Sequence, residues 1–140
     1  MAETNRATLT WKQDLRFLAR SGSGFEVLID SPTRPAFQGA SPMELVLVGI
    51  AGCMAMDVVS ILSKMKQQLT GATVEIAGQR AENHPKIFTA IDIVCKLVGH
   101  GLELEKAERA LELSRTTYCS AINTLRPDCK VNISVELGEG

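Results

Sequence analysis

The sequence predicts an α+β fold with helices packed on one face of a sheet, formed as a single domain over residues 1–140. Three observations carry this. Short alternating segments occupy the first thirty or so residues, a long and almost wholly apolar helical stretch follows, and the remainder reads strand, strand, helix, strand.

Residues 7–11 (ATLTW) and 15–20 (LRFLAR) have strand patterning. Ser21-Gly22-Ser23-Gly24 is a turn signal, and residues 25–30 (FEVLID) resume the strand pattern. Residues 31–40 (SPTRPAFQGA) form a loop rich in turn residues. The first helix is expected to start at Ser41. Ser41 suits the cap, Pro42 the first helical position, and Glu44 stands three residues after the cap to complete a capping box. The pattern carries this helix to about Gln68, with Thr70-Gly71 as its stop. Its first half is apolar on nearly every side, which predicts a helix covered all round.

Residues 73–80 alternate as a strand, and 81–85 form a turn. Residues 86–98 (KIFTAIDIVCKLV) make a long strand whose parity sets Ile87, Ile91, Ile93, Cys95 and Leu97 on one face, until Gly99-His100-Gly101 breaks it. A second helix is expected over 103–116, with Leu104, Ala107, Ala110, Leu111 and Ser114 inward. Tyr118-Cys119-Ser120-Ala121-Ile122 opens a short extra helix ended by Pro127. The last strand spans 130–137 with Val131, Ile133, Val135 and Leu137 inward.

The composition excludes several function classes. Formal charge is −1, leaving no basic footprint for nucleic acid and no polybasic membrane patch. The N-terminus lacks an apolar signal-peptide segment, and the apolar run Leu45–Met56 is too short to span a bilayer. A cytoplasmic protein with reduced thiols at rest is expected. Neither histidine is close to a cysteine in sequence and there is no CxxC pair, so no metal site is expected. His84 in a turn and His100 between glycines, with no nucleophile elbow, give a serine hydrolase little support.

The four cysteines separate by context. Cys95 and Cys129 fit the inward parity of their strands and read as core residues. Cys53 is either a core cysteine or a reactive thiol in a dry site. Gly49, Ala51 and Gly52 leave space beside it. Asp57, one turn on, is a charge in an apolar run that must face water, a partner or a site. Cys119 is either a buried junction residue or, at the start of the short helix, a thiol whose thiolate the free N–H groups would favour.

The combination S-P-x-E-L, an apolar stretch to Gly52-Cys53, and Tyr118-Cys119-Ser120 placed 66 residues after the first cysteine resembles the OsmC/Ohr family from about Phe25 to Leu137. The resemblance implies an OsmC-like fold, an antiparallel-rich sheet with a long central helix and a second helix, assembled as an intertwined homodimer with sites at the subunit interface. It implies a thiol peroxidase that reduces hydroperoxides, organic ones foremost. Cys53 would be peroxidatic and Cys119 resolving, and an external dithiol such as dihydrolipoamide would serve as reductant with no bound cofactor. The family also supplies an arginine to stabilise the thiolate, held by a glutamate. Arg34, 19 residues before Cys53, is close to where one branch of the family places it, and Arg20 is the other candidate. The sequence departs from the family pattern at Met43, where the glutamate usually directly follows the proline. Glu44 lies one residue later, about 100° round the helix, and already serves the capping box. Met43, Leu47 and Ile50 would offer an apolar surface to an organic peroxide. The alternative reading is a non-enzymatic, redox-responsive or small-ligand-binding protein on the same fold.

Overall fold

A computed structural model describes residues 2–140, which form two compact units, one ending at Val46 and the other spanning Leu47–Gly140. In the first unit, β1 (Ala7–Gln13), β2 (Arg16–Ser21) and β3 (Glu26–Ile29) make an antiparallel sheet in that order. The loop after β3 is held from inside. The buried carboxylate of Asp30 accepts the N–H groups of Ser31 and Gln38 at 2.8 and 3.0 Å, and Arg16 Nε donates to it at 2.9 Å. These bonds, the Gln38 N–H first and Arg16 next, hold the Asp30 carboxyl below its ordinary range. Gly39 runs so close to the Leu28 carbonyl that a side chain there would collide with backbone.

Helix α1 spans Pro42–Lys64. Its start is the expected capping box: Glu44 Oε1 accepts from the Ser41 N–H and hydroxyl, both at 2.9 Å, and the Glu44 N–H donates to Ser41 Oγ at 3.3 Å. The Ser41 N–H first, then its hydroxyl, lower the Glu44 carboxyl from 4.5. Ser41→Ala is expected to cost about 1 kcal/mol in urea unfolding. A carboxyl lowered in the folded state contributes fully above its unfolded pKa and loses that contribution as pH falls through the folded value. The stability gap between wild type and Glu44→Gln should therefore narrow below pH 4.5, which unfolding curves across pH would check.

The helix ends four residues earlier than expected, at Lys64 rather than Gln68. Lys66 takes a left-handed backbone (φ 60°), its N–H donates to the Ser63 carbonyl, and the Gln67 N–H donates to that of Leu62. These two bonds form a Schellman end built on lysine instead of glycine. Strand β4 (Gln68–Arg80) therefore begins where helix was expected.

The second unit's sheet runs β4-β5-β6, with β5 (Phe88–His100) antiparallel to β4 and parallel to β6 (Lys130–Glu139). The parallel pair needs a crossover, supplied by α2 (Leu104–Leu113), a π-helical turn (Ser114–Tyr118) and α3 (Ser120–Thr124). Ile91, Ile93, Cys95 and Leu97 are buried as their parity required, and the strand runs on through Gly99 and His100. The register shift beside Arg80 moves Phe88 inward in place of Ile87. Leu104 is exposed, while Ala107, Ala110, Leu111 and Ser114 are buried.

Ile50, Met54, Val58 and Leu62 form the buried stripe of α1, and Leu47 reaches the Gly78 position on β4. Val48, Met56 and Val59 are exposed. Within this chain the helix is thus covered on one side only, not all round. The run read as too short for a bilayer lies in a 23-residue helix that passes for a membrane span by length and composition, as core helices also do.

Candidate active site

Cys53 lies mid-way along α1, half-buried on the turn beside Met54, and Asp57 follows one turn later. Cys119 arrives from the crossover. The π-helical turn closes with the Cys119 N–H donating to the Ser114 carbonyl at 2.7 Å. Cys119 then leaves helical geometry and caps α3, its Sγ accepting the Ile122 N–H at 3.4 Å. The two thiol sulfurs and a carboxylate oxygen of Asp57 all lie within 4.8 Å of one another. The buried hydroxyl of Ser114, at the start of the π turn, donates to Asp57 Oδ2 at 3.0 Å. One short segment thus sets both the second thiol and the anchor of the carboxylate, as π turns at functional sites often do.

The two thiols are not equivalent. Cys119 is fully buried, and its thiol is pushed up to about 11, chiefly by burial and further by Cys53, against the lowering pull of the Ile122 N–H. The short helix start acts in the expected direction, but burial outweighs it, so Cys119 stays protonated at neutral pH. Cys53 is the accessible member of the pair. Burial likewise raises the thiols of Cys95 and Cys129, which lie away from this cluster. Cys95 is a core residue as expected, whereas Cys129 is only half-buried, just ahead of β6.

The remaining site candidates are otherwise engaged. Glu44 is taken up in the capping box with Ser41. Arg34 and Arg20 belong to the first unit, where Arg34 pairs with Asp14 at 3.1 Å and Arg20 with Glu26 at 3.9 Å. Ile50 is buried in the core and supplies none of the free apolar surface expected of it, while Met43 and Leu47 are half-buried. A different, mainly apolar cavity reaches Asp57, though neither cysteine lines it. It has a volume of about 370 Å³ and is lined by Asp57, Ile61, Lys64, Met65, Leu113 and Tyr118, among others. Sulfur, sulfur and carboxylate oxygen are also donor types that zinc accepts, a grouping invisible in the linear spacing. Ser114 carries no sequence signal beyond its inward position.

Two thiols brought together from distant parts of the chain define a dithiol protein of α+β fold. It belongs to the OsmC-like family: the family model described as "OsmC-like protein" matches residues 35–134. Protein YhfA of Escherichia coli K12 is 35% identical over 132 residues, covering 94% of this chain and 97% of that protein. A hypothetical protein from Aquifex aeolicus VF5 superposes with a TM-score of 0.89 at 32% identity, covering 99% of each chain. An organic hydroperoxide resistance protein OsmC from Legionella pneumophila shares the fold, with a TM-score of 0.73 at 16% identity over 97% of this chain and 98% of its own.

Proposed function

We propose that the protein is a cysteine-based peroxidase that reduces hydroperoxides, organic ones foremost, through Cys53 and Cys119. One observation carries the reading: an accessible thiol and a buried thiol lie within 4.8 Å of one another. The Cys53 thiol loses its proton, and the thiolate attacks the O–O bond to become a sulfenic acid while the alkoxide leaves and takes up a proton as the alcohol. The Cys119 thiol then displaces the sulfenic hydroxyl as water and forms the disulfide, which an external dithiol such as dihydrolipoamide reduces. The apolar cavity beside Asp57 suits a hydrocarbon-bearing peroxide. A cation is needed to favour the first thiolate, and Arg34 is the candidate that the family resemblance supplies.

The test is to add one equivalent of cumene hydroperoxide to reduced protein and map disulfides by mass spectrometry. A Cys53–Cys119 link is expected. Unlinked, unoxidised cysteines in folded protein would refute the reading. Steady peroxide consumption with dihydrolipoamide separates an enzyme from a redox-responsive binding protein, which would stop after one oxidation.

The working form in this proposal is a cytoplasmic homodimer. The exposed apolar side of α1, with Val48 at 63% and Met56 at 76% exposure, favours a second copy as cover. Sedimentation equilibrium should return twice the 15.1 kDa chain mass.

A further inference from the structure

We propose that Asp57 is the base of the resolving step, taking the Cys119 proton and passing it to the hydroxyl that leaves Cys53. This rests on the peroxidase reading. Its support is geometric. The Asp57 carboxylate lies within 4.8 Å of both sulfurs, and Ser114 fixes its Oδ2 from a fully buried position. The same π turn that carries Ser114 sets Cys119, so acceptor and donor are registered by one element.

The chemistry requires such a group. Resolution joins a sulfenic acid and a thiol into a disulfide and water. The S–H bond of Cys119 and the S–O bond of Cys53 break while the S–S bond forms. One proton must leave Cys119, and one must reach the departing hydroxyl. A carboxylate within 4.8 Å of both sulfurs can do both, and no outside oxidant or base enters. Burial holds Cys119 in its neutral form, so spontaneous ionisation would supply little nucleophile. Ser114 bonds Asp57 from the crossover, and Lys64, Ser60 and Tyr118 are the other polar residues that line the cavity with it. Among the His, Cys, Asp and Glu side chains of the described residues, the Asp57 carboxylate is the one grouped with both sulfurs.

The assay needs no peroxide. Reduced protein, with Cys129→Ser to remove the other half-buried thiol, is mixed with 5,5′-dithiobis(2-nitrobenzoate) in stopped flow. A first release of thionitrobenzoate marks capture of Cys53 as a mixed disulfide. A second, first-order release marks attack by Cys119, with the same S–H bond broken. Cys119→Ser must abolish the second phase. Asp57→Asn is expected to slow it about tenfold or more at pH 7. Its rate should then climb steeply with pH toward the wild-type value, which a merely structural role would not produce. A slowing of less than fivefold overturns the proposal. If Asp57→Asn does not fold by circular dichroism, Ser114→Ala decides: at least twofold slowing supports the relay, and an unchanged second phase overturns it. In a parallel arm with cumene hydroperoxide, dimedone should trap more sulfenic acid in Asp57→Asn than in wild type. If peroxide yields neither a Cys53–Cys119 disulfide in wild type nor sulfenic acid in Cys119→Ser, the peroxidase reading fails, and the relay is judged on the thionitrobenzoate phase alone.

Discussion

Cys53→Ser is expected to reduce peroxide consumption to the level of the protein-free control, while Cys119→Ser leaves a single oxidation that then stalls. The asymmetry follows from burial. Cys53 is the accessible thiol, and Cys119 is fully buried and held neutral, so the first encounter with a bulky peroxide belongs to Cys53. A serine hydroxyl at that position is far less nucleophilic toward the O–O bond than a thiolate, and the sulfur grouped with it, that of Cys119, is fully buried. Without Cys119, the Cys53 sulfenic acid has no partner, because Cys95 and Cys129 do not share the cluster. It should persist long enough for dimedone capture and, with excess peroxide, pass to the sulfinic acid. Ferrous–xylenol orange assays would measure the peroxide, and intact mass the oxidation state of Cys53. Equal activity in wild type and Cys53→Ser would remove this residue from the chemistry.

What the sequence revealed follows the reach of local signals. Ser41, Pro42 and Glu44 announced the start of α1 because a capping box is a contact three residues long. The end of the same helix is hidden in the sequence, because Lys66 adopts the left-handed conformation that glycine usually marks, whereas Thr70-Gly71 only resembles a stop. Strand parity gave the core face of β5 until the register shift near Arg80, a long-range feature with no local residue to announce it. The thiol pair was legible only through family resemblance, since a separation of 66 residues says nothing by itself about proximity. Asp57 stood out as a charge in an apolar run, but its partner did not. Ser114 read as an ordinary inward serine, because a π turn depends on tertiary packing more than on residue type.

Met54→Ala is expected to destabilise the protein by about 3 kcal/mol, equivalent to roughly 10 °C in melting temperature. Met54 has 0% exposure and stands in the stripe Ile50, Met54, Val58, Leu62 that fixes α1 in the core. Removing its side chain deletes buried surface and leaves a cavity that the surrounding core can fill only in part. The loss should also reach the chemistry, because Cys53 is the adjacent residue and its distance from Cys119 depends on how α1 seats. Met56, two residues on, supplies the control. It is 76% exposed in the single chain, so Met56→Ala should leave the unfolding free energy of a monomer nearly unchanged. If a second copy covers that side of α1, Met56→Ala should instead weaken association, lowering the melting temperature most at low protein concentration. Calorimetry of both variants over a hundredfold range of concentration separates the two cases. A concentration-independent loss is expected for Met54→Ala, and a concentration-dependent one for Met56→Ala.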